Sequence, residues 1–217
     1  NKAQAKIFYR LKEKCEIIDS HLIIKPSMNI YDLYDIIDTI LLKYSYVDII
    51  GIATPGIISD DNKLKNLTYK EEAFDIKKEF EKKYNLPVIL CNNANAAVLG
   101  FSLDHPDYSD IIYHSQQFGF GVGGQGIIVN KKLLLGKNGV AGELKYFIKR
   151  MQFSDNLHKL VLNEQGAVEV VTKSLLPTIC TIGPEAIAIC SPMTPNMDEI
   201  KNKISSFIPE EFLPKFY

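Results

Sequence analysis

The sequence predicts an α/β fold, and three observations carry that prediction. Short apolar runs rich in β-branched residues alternate with amphipathic stretches at helical spacing. Turn residues close the runs, as at Pro55–Gly56 after "YVDIIGIAT". The strand–helix alternation returns in the second half, which points to two similar lobes, 1–104 and 105–217, with no sequence repeat linking them.

The chain opens with "AKIFYRL" and "CEIIDSHLIIK", two strands joined by a charged turn at Lys12–Lys14. From Ile30, "IYDLYDIIDTILLKY" sets Ile30, Leu33, Ile36, Ile37, Ile40 and Leu41 at helical spacing. "YVDIIGIATPG" reads as a short buried strand and "SDDNKLKNLTYK" as a polar loop. "EAFDIKKEFEKKY" is an amphipathic helix whose lysines form a solvated face rather than a binding patch. "LPVIL" is another buried strand, with "ANAAVLGFSL" a helix behind it. Later, "IIYHSQ" is a strand, "GAVEVVTKSLLPTICTI" a helix, "EAIAIC" a strand and "NMDEIKNKISSFI" a last helix. Pro192–Asn196 supplies proline and an N-cap before that helix.

At 217 residues, 46% hydrophobic and 24% charged, the chain is globular material for one large domain or two small ones. A net charge of −1 argues against nucleic acid as the direct partner of this region. There is no signal peptide and no membrane-length apolar run. The four cysteines are widely spaced, and Cys91 and Cys190 end apolar runs, so buried free thiols in a reducing cytoplasm are expected. The first residue is Asn1 rather than Met, and the chain starts mid-pattern, so it reads as part of something longer.

Two stretches carry chemical interest. "CNNANAA" (91–97) follows the apolar run directly and places three carboxamides in four positions: Asn92, Asn93 and Asn95. One of them is explained as a helix N-cap; three are not. Further on, Gly121 to Gly126 satisfies GxGxxG. A dinucleotide fingerprint needs a helix to begin there, whereas "IIVNKKLLLG" follows, β-branched and interrupted by Asn-Lys-Lys. That is a hairpin, which either holds phosphate through backbone N–H groups or is simply a tight turn. "GKNGVAGELKYF" (136–147) is a glycine-rich loop with Glu143 as its lone carboxylate.

In order along the chain, three stretches resemble the ROK family, which groups repressors, open reading frames and sugar kinases. "IIGIATPGIISDDNKLKN" is similar to the family's strand, Pro-Gly and loop. "NLPVILCNNANAAVLG" is similar to its "LPVxxENDANAAALGE". "GFGVGGQGIIVNKKLLLGKNGVAGEL" is similar to its "GTGIGAGIIINGKLLRGANGAAGEIGH". The resemblance implies two actin-like (ribonuclease H-like) α/β lobes with the ligand in the cleft between them. It further implies an oligomerisation region in 105–217 and a DNA-binding helix-turn-helix ahead of this chain. Sugar contacts fall on Asn92, Asn93, Glu143 and Tyr146, and the phosphate loop on Gly119, Gly121 and Gly123.

The departures shape the functional expectation. Asn93 stands where the family has its catalytic Asp, and a carboxamide lacks the basicity to take a sugar hydroxyl's proton. Tyr146 replaces a His that is both sugar and zinc ligand, and no cysteine lies between Tyr146 and Cys180, so no metal is expected. His158 alone reads as a surface or packing residue. The family's first phosphate loop, "DxGGT", falls on "NKAQA" (Asn1–Ala5), without its glycines or acid, and Phe120 replaces a Thr in the second. With no catalytic residue and no cofactor, the expectation is a non-enzymatic regulatory domain of a repressor or anti-repressor. It would be a homodimer, reaching DNA through the preceding segment or acting on another repressor protein, and not on a membrane. In one version the cleft still binds a monosaccharide; in the other it is a relic and the domain a scaffold. The rival reading is an active ATP-dependent sugar kinase.

Overall fold

The structure, a computed structural model, describes residues 5–14, 16–25, 29–65, 75–116, 123–191 and 196–217. Its packing divides the chain into two compact units, Asn1–Asp48 and Ile49–Tyr217. The two-lobe reading, with its boundary after Asp104, is a separate matter and remains a proposal.

In the first unit, β1 (Ala5–Glu13) and β2 (Glu16–Lys25) form an antiparallel hairpin with Phe8 opposite Leu22. The register shifts between Leu11 and Lys12, and Lys14 turns the chain at φ 47°. Helix α1 (Ile30–Lys43) starts on a capping box: the Asn29 side chain accepts from the Asp32 amide, and the Asp32 carboxylate accepts from the Asn29 amide at 2.7 Å. At its other end, Lys43 Nζ and Tyr44 Oη donate to Asp19 of β2 at 3.0 and 2.8 Å. These two donors, Lys43 first, hold the Asp19 carboxyl below the usual carboxylate range.

The second unit opens with β3 (Ile50–Thr54) and a short hairpin of β4 (Ile57–Ile58) and β5 (Leu64–Lys65). The hairpin's turn and β5 fall within 59–70, the stretch that reads as polar loop; the turn is closed by Ser59 and Asn62, the latter at φ 59°. Helix α2 (Ile76–Tyr84) leads to β6 (Val88–Asn92), which pairs in parallel with β3. The sequence predicts both strands to be buried, yet each fully buries only its first residue, Ile50 or Val88, and Ile89 is 59% exposed. Among the described residues the two strands pair only with each other, so alternate side chains lack a covering layer.

Helix α3 (Asn93–Asp104) then packs on one face of a five-stranded mixed sheet. Its strands are β7 (Ile111–Ser115), β8 (Gly124–Val129), β9 (Lys132–Leu133), β10 (Ala186–Cys190) and β11 (Lys215–Phe216), in the order β11-β10-β7-β8-β9. Between β9 and β10 run the short helices α4 (Lys145–Ile148) and α5 (Leu157–Leu160), then α6 (Glu164–Ile182); α7 (Met197–Ser205) precedes β11.

Neighbouring residues of β7 face opposite layers, as strand geometry requires. Ile112 joins Val168, Val171, Leu175 and Ile179 of α6 with Ile200 and Ile204 of α7. Ile111 joins Val98 of α3 and Ile128 of β8. The glycine-rich segment does lead into a strand, β8, which turns through Asn130 and Lys131, both at positive φ, into β9. No helix begins there, which removes the dinucleotide reading. Asn196 caps α7 as expected, accepting from the amides of Asp198 and Glu199. Burial of both thiols does not hold: Cys91 is half-buried, which pushes its thiol up, and Cys190 is exposed. Strand β10 leaves the core after Ala188, and Cys190 lies beyond it.

Candidate functional site

The amides of "CNNANAA" divide sharply by role. Asn92 ends β6 in extended geometry and caps α3: its Oδ1 accepts from the amides of Ala94 at 2.8 Å and Asn95 at 3.3 Å. Its Nδ2 donates to the Gly56 carbonyl at 2.8 Å, which ties the helix start to the Pro-Gly turn after β3. Asn92 is therefore committed to structure through both ends of its amide. Asn93 opens the helix, half-buried, and its side chain makes no hydrogen bond among the described residues. Asn95 is buried, with Oδ1 unpartnered.

Strand β8 supports both α3 and the loop that carries Glu143. A Cβ on Gly126 would lie 2.2 Å from the Ala94 carbonyl, so only glycine lets α3 approach the strand so closely. One residue earlier, the Gln125 amide donates to the Gly142 carbonyl at 3.0 Å. Ala94 follows Asn93 and Gly142 precedes Glu143, and the two rest on adjacent residues of one strand. The loop needs left-handed backbone to do this: Gly139 at φ 71° sits against the Ile58 carbonyl and Gly142 at φ 82° against that of Gln125.

Neither Glu143 nor Tyr146 stands alone. Lys145 Nζ lies 3.2 Å from Glu143 Oε2, with the two side chains 24% and 18% exposed. The same ammonium is 5.2 Å from the centroid of the Tyr146 ring, whose residue is 57% exposed. Nothing in the composition marked Lys145. Its one signal is that it stands where the resembled motif "GEIGH" has glycine. Gly119 and Gly121, with Phe120, lie outside the described residues; Gly123 is buried against the Ser115 carbonyl. Tyr146 and the cysteine-free segment after it do not make a zinc donor set, and His158 is exposed on α5. Among the described residues no group of three or more His, Cys, Asp or Glu could hold a metal ion. No helix among them is long and apolar enough to cross a membrane.

Behind the glycine segment lies a polar layer that sequence reading missed. His114 of β7 sits opposite Gln125 of β8, on the same face as Ile112, and is fully buried. Gln125 is satisfied from α6: Nε2 donates to the Ser174 carbonyl at 3.3 Å, and Oε1 accepts from Thr178 Oγ1 at 2.8 Å. His114 and the neighbouring Gln116 are not: none of their side-chain polar atoms has a hydrogen-bond partner among the described residues. Burial pushes the His114 imidazole down to about 4, with nearby Gln116 pulling weakly the other way. The signal that could have found it is the period-2 pattern of "IIYHSQ", which sets His114 on the same face as Ile112.

Chemically, the site offers one uncommitted amide, at Asn93, and one carboxylate held by a lysine. Amides suit sugar hydroxyls, donating and accepting at once, and the carboxylate of Glu143 is paired with Lys145.

Comparison with known proteins bears on family and fold. The chain is 32% identical over 139 residues to the xylose repressor of Bacillus subtilis (strain 168), covering 61% of this chain and 34% of that protein. It is 35% identical over 99 residues to a glucokinase of Halalkalibacterium halodurans, covering 44% of this chain and 29% of that one. The matched region thus spans about a third of these relatives' length. The structure superposes on the ROK hexokinase of Thermus thermophilus with a TM-score of 0.69 at 15% identity, covering 97% of this chain and 88% of that one. At that identity the likeness shows the fold, which is actin-like. The ROK family profile matches residues 6–149, more than half of the chain. This chain belongs to the ROK family.

Proposed function

We propose that the chain is the regulatory and dimerisation part of a ROK-type transcriptional regulator, a repressor or anti-repressor, that does not transfer phosphate. The observation that carries this is Asn93. It occupies the first position of α3, where a kinase needs a carboxylate, and Glu143, whose loop rests on the strand that α3 packs against, is engaged by Lys145. Phosphoryl transfer depends on positioned charge, and this site supplies little of it. The similarity to xylose repressors supports the regulatory reading. In this account the protein works in the cytoplasm as a homodimer. It acts on DNA through a helix-turn-helix in another part of the protein, or on another repressor. Two lobes, divided after Asp104, would shift relative to one another as the switch.

A second reading, a sugar-sensing repressor, is favoured by the amide of Asn93, which makes no side-chain hydrogen bond among the described residues. The likeness to a glucokinase supports an active kinase as the rival. A genetic experiment separates regulator from enzyme. Deleting the gene should change transcription of a target operon, and the Asn93→Ala protein should restore it to the wild-type level. Failure of Asn93→Ala to complement, with the protein folded and present, would mean that chemistry at this position is needed.

A further inference from the structure

Of the four residues expected to touch a sugar, three are already engaged inside the chain, and two of those share one partner. Asn92 is spent on the helix cap and the Gly56 carbonyl. Glu143 and Tyr146 are both held by the ammonium of Lys145, at 3.2 Å from the carboxylate and 5.2 Å from the ring centroid. We infer that Lys145 is a built-in occupant of the sugar site, which accepts a neutral monosaccharide only when this lysine is displaced. The inference rests on the reading of Asn93 and Glu143 as sugar contacts.

The geometry supports an occupant rather than a passing surface pair. Lys145 begins α4, and the turn that delivers it is fixed: the Leu144 amide donates to the Gly142 carbonyl at 2.9 Å and the Ile148 amide to the Leu144 carbonyl at 2.8 Å. Ile148, at the other end of α4, is 1% exposed and anchors that short helix. The ion pair is largely shielded on both sides, unlike Lys159–Asp155 on α5, whose side chains are 71% and 53% exposed. Screening by water is therefore weaker at Lys145. A carboxylate that would accept from sugar hydroxyls is instead paired with the ammonium, and the ring that would stack on a sugar face carries a cation. The resembled motif has glycine here, a residue that offers nothing to fill the site. This one position thus decides whether the preserved amide and carboxylate are available to a ligand.

The test is calorimetric titration of the full-length protein with D-xylose, D-glucose and N-acetyl-D-mannosamine. Lys145→Gly restores the motif residue, and Lys145→Met keeps the stem without the charge in case glycine loosens α4. Both should bind at least one of the three sugars about tenfold or more tightly than wild type, the worth of one charged hydrogen bond regained. Adding Glu143→Gln to either variant should remove the gain. If wild type and both variants bind a sugar equally, and Glu143→Gln abolishes it, the sugar-site reading stands and the role given to Lys145 is wrong. If neither variant binds any of the three sugars, the inference is overturned. If the gain survives Glu143→Gln, Glu143 is not a sugar contact, and the reading beneath the inference fails with it.

Discussion

Replacing Gly142 with alanine should cost about 3 kcal/mol of stability and unseat the loop that carries Glu143. The cost has two parts. Gly142 sits at φ 82°, where a Cβ is strained by roughly 1–2 kcal/mol. That Cβ would also lie 1.9 Å from the Gln125 carbonyl, a backbone atom in the middle of a paired strand that has nowhere to move. The loop must lift instead, which breaks the hydrogen bond from the Gln125 amide to the Gly142 carbonyl. Urea unfolding measures the loss as a lower midpoint at constant slope. Gly100→Ala is the matched control. It lies within α3 with nothing inside 4 Å of the added Cβ, so it should be neutral or stabilise by up to about 1 kcal/mol. Equal behaviour of the two variants would mean that Gly142 does not hold the loop as described.

Stability should also fall by about 3 kcal/mol between pH 6.5 and pH 4, through His114 alone. The imidazole ordinarily titrates near 6.5, and burial lowers it to about 4 in the folded protein. Between those values the unfolded chain binds a proton that the folded chain refuses, so unfolding is favoured as pH drops. The contribution is complete above pH 6.5 and is lost progressively toward pH 4. Asp19, whose ordinary value is 3.8, acts below that window, whereas Glu185, ordinarily at 4.5 and lowered by the Ser109 and Asp110 amides, adds its own loss at the acid end of it. Thermal melting against pH measures the slope. His114→Leu, which removes the unpartnered nitrogens, should flatten it. A slope unchanged in His114→Leu would place the acid lability elsewhere.

These two sites show where the sequence was legible and where it was not. The strands and helices announce themselves because local chemistry and tertiary packing agree. "IIVNKK" is β-branched and then turns on Asn130–Lys131, so it could not be the helix that GxGxxG suggested. The capping role within "CNNANAA" was equally open to view, because an N-cap is a local hydrogen bond; that Asn92 rather than Asn93 performs it required coordinates. Half-burial of β3 and β6 was hidden, since an apolar run does not say how many layers cover it. Lys145 was hidden too. Its reach to Glu143 depends on the path of the loop, and that path depends on Gly139 and Gly142 resting on strands far away in sequence. His114 lies between these cases: alternation carries a signal for its inward face, but its lack of a partner among the described residues has none.

The central claim is that the site has kept its shape and lost its chemistry, and phosphoryl transfer measures that directly. Purified full-length protein, Mg-ATP and each of glucose, fructose and N-acetylmannosamine are incubated, and sugar phosphate is measured against a protein-free control. The account predicts no turnover above background, both for wild type and for Asn93→Asp. Turnover by the wild-type protein that disappears in Asn93→Ala would contradict it.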